Sequence, residues 1–141
     1  MRIPSRFTIA VHTLLLIEYF QDKHKITSDF IANSVQVHPV IIRQILGQLK
    51  KAKLIEVQAG IGGASLAQSP KDITLYDIFY AVEALNNNIL FAFHENPNLA
   101  CPIGKNIHKV LDSKHENIQN AMNNELKKTT LADLIKDLEN N

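Results

Sequence analysis

The chain has 141 residues, 45% of them hydrophobic and 21% charged, with a net charge of +1 at pH 7. That describes one globular domain with a real core, and no overall charge excess points to nucleic acid or a membrane. A single cysteine, Cys101, excludes an internal disulfide framework and a multi-cysteine zinc or iron–sulfur site within one chain.

The charge is unevenly placed. Residues 1–70 carry eight Lys/Arg against four Asp/Glu, and residues 71–141 carry seven against ten. The chain opens with a short lead, Arg2 to Arg6, in which Ser5 is expected to cap a helix running to about Phe20. That helix is apolar nearly all round, so it should be covered on several sides, one of them by a partner subunit. Arg2 and Arg6, with the free N–H groups at the helix start, are placed to meet a phosphate; simple solvation is the other reading. The apolar run from Phe7 to Phe20 is broken by His12, Thr13 and Glu18 and is too short to span a bilayer. No secretory pattern precedes it, so a cytoplasmic location without membrane attachment is expected.

Residues 26–67 read as two helices joined by a four-residue turn and followed by a small hairpin. Thr27 is expected to cap the first helix, with Asp29 near the positive end of its dipole. Ile31 and Ala32 should point inward, and Ser34 to Val37 should form the turn. His38 then caps a second helix with Pro39 at its first position, where the missing N–H costs nothing. Ile42, Ile45, Leu46 and Leu49 form its buried stripe at helical spacing. Val40, Ile41, Arg43, Gln44 and Gly47 are left outside, flanked by Gln48, Lys50 and Lys51. Val40 and Ile41 either pack on a neighbouring element or contact thymine methyl groups. Arg43 and Gln44 match the edges of guanine and adenine, and the lysines match phosphates.

Leu54, Ile55 and Val57 suit a strand, Gly60, Ile61, Gly62 and Gly63 a tip, and Ala64 to Ala67 a return strand. A glycine hairpin is a weak signal alone and a stronger one directly after a helix-turn-helix. The arrangement is a winged helix, a device for setting one helix in a DNA groove with a hairpin beside it. Ser5, Thr27, His38, Pro39 and the tip residues Gly60, Ile61, Gly62 and Gly63 join the expected DNA-facing residues.

Ser69 to Asp72 should turn, and Thr74 should cap a helix carrying Leu75, Ile78, Phe79, Val82 and Leu85 that stops at Asn86 to Asn88. An irregular stretch follows, with a small apolar run from Ile89 to Phe93. From Pro102 a long helix is expected, on the order of 35 Å at 1.5 Å per residue. Ile103, Ile107, Val110, Leu111, Ile118 and Met122 form a near-heptad stripe along it. Such a helix is too long for a small core to cover, and its natural cover is the same helix from a second copy. Thr130 with Asp133 should open a last helix over Leu131 to Leu138. The fold class is therefore mainly α, a winged helix-turn-helix with a β-hairpin wing plus a long C-terminal dimerisation helix. Residues 1–85 form the DNA-binding domain, 86–102 the connection, and 103–141 the dimerisation and closing helices.

The segments MRIPSRFTIAVHTLLLI, HPVIIRQILGQLKKAKLIE, GIGGASLA, ITLYDIFYAVE and CPIGKNIHKVL resemble, in order and spacing, the Rrf-two family of bacterial winged-helix transcription regulators. The resemblance covers nearly the whole chain. It implies a homodimer joined through the long helix, with two winged helices on a near-palindromic DNA operator. Many members carry an Arg before the glycine tip, where this chain has Ala59. Lys53 stands at a usual Gly place and is a further phosphate candidate. Cluster-binding members have three cysteines before the long helix. Only Cys101, matching the last of them, is kept here, so no metal cluster or other cofactor is expected.

Other readings stay open at this level. No Ser/His/Asp, Cys/His or paired-carboxylate constellation supports an enzyme, and His94, Cys101 and His108 read as surface or packing residues. A winged helix used for protein contacts without DNA binding is the alternative function. The preferred reading is a DNA-binding regulator, a homodimeric repressor answering a redox signal or an unidentified small molecule. Cys101 is a candidate redox sensor, because a cysteine at a helix N-cap has its thiolate favoured by the dipole; a packing role is the alternative.

Overall fold

The computed structural model describes residues 5–58, 63–83 and 90–141. Helix α1 (Arg6–Phe20) turns Ala10, Thr13, Leu14 and Ile17 into the core. The buried Thr13 hydroxyl donates to the Ile9 carbonyl at 2.8 Å, one turn back. Ser5 holds the N-cap position but has αR backbone and makes no side-chain cap, contrary to expectation.

Helix α2 (Ser28–Val35) starts as expected, with the Thr27 hydroxyl accepting the Phe30 N–H at 3.2 Å. It ends later than Ser34. Gln36 takes the left-handed conformation and its N–H closes on the Ala32 carbonyl at 2.8 Å. One left-handed residue is enough to stop a helix, so Ser34 and Val35 stay helical and the joint shrinks to Gln36–His38. Helix α3 (Pro39–Lys51) follows, with His38 Nδ1 accepting the Val40 N–H at 3.1 Å and Pro39 in the first turn. Its buried stripe is Ile42, Ile45, Leu46 and Leu49, as the spacing predicts. Lys53 closes α3 in a Schellman arrangement: its own N–H reaches Lys50, and the Leu54 N–H reaches the Leu49 carbonyl at 3.0 Å. Its φ of 63° explains why glycine would suit that place.

Strands β1 (Ile55–Gln58) and β2 (Gly63–Leu66) pair antiparallel, from Ile55 opposite Leu66 to Gln58 opposite Gly63. Gly63 is thus the first residue of the return strand and not part of the tip. It has φ +72°, and a Cβ there would come within 3.0 Å of the Ile26 backbone. The neighbouring Ala64 N–H bonds the Ile26 carbonyl at 2.9 Å, which ties the wing to the lead into α2.

Helix α4 (Leu75–Val82) opens with a reciprocal Thr74–Asp77 capping box and stops at Glu83, which is extended. The expected Leu85 and Asn86 to Asn88 lie outside the described residues. Helix α5 (Pro102–Leu126) is the long helix, and α6 (Leu131–Glu139) opens with a second capping box, Thr130–Asp133. The two capped ends lie side by side: Leu75 N–H bonds Thr129 and Leu131 N–H bonds Ile73, at 3.0 and 2.8 Å. Leu131 therefore enters the same core as α1, α3 and α4.

Residues 90–94 run beside α5 without regular structure. Leu90 N–H bonds Gln119 Oε1 at 3.0 Å, Phe91 stacks on His115 at 4.7 Å, and Phe93 meets His108 at 4.4 Å.

Candidate nucleic-acid interface

Successive residues of a helix are about 100° apart. Taking Val40 as the reference on α3, Gln44, Gly47 and Lys51 fall within roughly 40° of it. Arg43 and Lys50 lie on one flank, and Ile41 and Gln48 on the other. The structure follows this wheel. Val40 is 45% exposed, and Arg43, Gln44, Gly47, Lys50 and Lys51 are exposed. Ile41 departs from its expected exposure: it is half-buried against the core, because its flank faces the body of the domain.

The Arg43 flank borders an open groove of about 390 Å³ between α3, the start of α2 and the wing. Arg43, Gly47 and Lys50 line one wall, Val57, Gln58 and Gly63 the other, with Thr27 and Ser28 at one end. Two cations along a groove of helix and hairpin suit a polyanion. Gly47 stands open there, and glycine inside a helix costs about 0.5–1 kcal/mol relative to alanine.

The opposite flank holds an arrangement the sequence did not reveal. Arg6 donates to Gln48 Oε1 at 2.7 Å, and Gln48 Nε2 reaches the Val82 carbonyl at 3.4 Å. Arg6, a sequence-level phosphate candidate, thus spends its guanidinium on joining α1 to α3. Glu83 sits beside this pair. Burial pushes its carboxyl above the ordinary value, while the Phe7 N–H and the Arg6 charge pull it back. Only burial and the bond geometry expose this cluster; local periodicity carries no trace of it.

Thr27 and His38 use their side chains as caps, and Lys53 is exposed at the foot of the wing. Arg2, Ala59, Gly60, Ile61 and Gly62 lie outside the described residues. On α5, Ile103, Val110 and Ile118 are 73%, 60% and 52% exposed, while Ile107, Leu111 and Met122 are half-covered. Cys101 is the N-cap of α5. The Gly104 and Ile103 N–H groups hold its thiol below the ordinary value, without a hydrogen bond of full geometry. Gly104 is needed for close approach, because a Cβ would run into the Asn98 carbonyl. His94 and His108 meet edge to face, and His108 Nε2 donates to the His94 carbonyl at 3.1 Å, away from Cys101.

Known proteins resemble this chain in sequence and in fold. The Rrf2 family model, described as an iron-dependent transcriptional regulator, matches residues 3–137. YwnA of Bacillus subtilis (strain 168), named as an HTH-type transcriptional regulator, is 43% identical over 136 residues, covering 96% of this chain and 98% of that protein. The crystal structure of a transcriptional regulator from Lactobacillus plantarum superposes with TM-score 0.79 at 27% identity, over 96% of this chain and 90% of that one. IscR of T. potens shares the fold, with TM-score 0.70 at 22% identity over 98% and 88% of the two chains.

The iron in the family description meets a poor donor set here. The chain has one cysteine, and no group of three or more His, Cys, Asp or Glu side chains converges among the described residues. These residues do not fit a resident iron centre within one chain. Among the described residues no helix is long and apolar enough to cross a membrane. With a family model spanning nearly its whole length and relatives named as HTH-type regulators, the chain belongs to the Rrf2 family of winged-helix, DNA-binding transcription regulators and is not an enzyme.

Proposed function

We propose that the protein is a cytoplasmic homodimeric repressor that reads a near-palindromic operator with two copies of α3. The observation that carries this is the exposed arc of α3, set beside a cation-lined groove against the wing. Val40 meets thymine methyl groups, and Arg43 and Gln44 meet guanine and adenine edges. Lys50, Lys51 and Lys53 meet phosphates, and the tip Gly60 to Gly62 and Arg2 extend the backbone contact. The apolar stripe of α5 pairs with its twin and spaces the two readers by one helical turn, about 34–36 Å, or a multiple of it. The signal enters through the connection at 86–102. A redox signal acts on Cys101, and a small molecule settles near Ile89 to Phe93.

Selection from a randomised duplex library tests the reading. Arg43→Ala should cost about 1–3 kcal/mol on the selected site and relax preference at one base pair. Lys50→Ala should lower the log–log salt slope by about 0.9 for each of the two half-sites and leave base preference alone. Unchanged preference in Arg43→Ala removes that residue from base reading. A wild-type protein with no salt-dependent duplex binding overturns the proposal. Added to transcription from a promoter overlapping the selected site, the protein should lower output.

A further inference from the structure

Among the described residues nothing within this chain requires glycine at position 47. It stands inside α3, one turn after Arg43 and one turn before Lys50. Its φ is not among the positive values of the described residues, so no backbone conformation demands glycine. A Cβ built there meets nothing within 4 Å among the described residues, so no described neighbour demands it either. Alanine would make the better helix. The missing Cβ falls near the middle of the exposed arc and on the wall of the groove shared with the wing.

We infer that the sugar–phosphate backbone of a bound duplex comes against the α3 main chain at Gly47, beside Lys50 and one turn past the base-reading Arg43. Glycine is the residue that lets another backbone approach most closely. Lys50, the cation one turn on, suits a phosphodiester group. The position also favours backbone over base: the first residues of a reading helix go to base edges, and Gly47 lies in the second half of α3. The inference rests on α3 being the reader.

The test compares wild type with Gly47→Ala, Arg43→Ala and Lys50→Ala, using the selected operator and an unrelated duplex of equal length. Gly47→Ala should raise Tm by a few degrees. Its affinity should fall about tenfold on both duplexes, the loss of one charge-assisted contact, with base preference unchanged. A more stable protein that binds less cannot be explained by misfolding. Wild-type affinity in Gly47→Ala overturns the inference. Loss confined to the operator, with altered preference at one base pair, also overturns it and puts a base edge at Gly47. If Arg43→Ala and Lys50→Ala weaken binding while Gly47→Ala does not, only this inference fails. If all three bind like wild type, α3 is not the reader.

Discussion

Helices α3 and α5 are both amphipathic, but they find their cover in different places. In 13 residues α3 buries Ile42, Ile45, Leu46 and Leu49 against its own chain. In 25 residues α5 buries none. Its apolar stripe lies open at Ile103, Val110 and Ile118. Most of a helix's stability comes from packing its apolar face rather than from propensity. One helix is therefore anchored from within, while the other waits for something outside. The proposed reader is held by its own domain; the apolar face of the proposed arm is left open.

The largest expected effect breaks the outside half of this comparison. Ile118→Asp sets a charge in the proposed seam, where it would lack a partner. Light scattering at micromolar concentration should then show a monomer, and operator affinity should collapse because two half-sites need two readers. Wild-type Tm should rise with protein concentration, while the variant's should not. A dimeric Ile118→Asp would move the seam off α5.

The inside half is broken by Leu49→Ala, which removes a fully buried side chain from α3. It should cost about 2–5 kcal/mol, measured by denaturant unfolding, and leave the association state unchanged. If both variants lose stability to the same degree and with the same concentration dependence, the two helices are not covered differently.

A smaller effect sharpens the inside half. The Glu83 carboxyl is raised above its ordinary value mainly by burial, and its Oε1 is buried without a partner. A group raised on folding adds stability while protonated and loses it as pH climbs through its folded value. Glu83→Gln should therefore raise Tm at neutral pH. That gain should shrink as pH falls through the ordinary carboxyl range. A gain constant across pH would assign the effect to something other than ionisation.

What the sequence disclosed follows the same division. The α3 stripe, the Thr27, His38 and Thr74 caps and the Thr130–Asp133 box were legible because each is local, a pattern within one turn or two. The end of α2 was misplaced because a polar pair, Asn33-Ser34, looks like a turn, while the stop is made by Gln36 in a left-handed conformation. Ile41 was read as exposed because apolar character alone does not tell a flank from a face. The Arg6–Gln48 bond joins residues 42 apart, and the Phe–His stacking along α5 joins 91 to 115. No spacing rule reaches that far. The placement of Arg43, Gln44, Lys50 and Lys51 on one side of α3 was legible; the groove that Arg43 and Lys50 border was not, since it depends on where the wing lies.

The side-by-side caps of α4 and α6 bear on how the protein is made. Thr74 and Thr130 bridge across 56 positions, and Leu131 fills a core whose other members come mostly from the first 82 residues. Contacts so distant along the chain are late events in folding. On the ribosome the DNA-reading half emerges early but keeps an unfilled place in its interior until α5 has been synthesised and α6 has followed it. A nascent chain can therefore display its reading helix before its core is closed. Competent DNA binding should appear only when the last helix docks, at which point α5, the proposed dimerisation helix, is already complete.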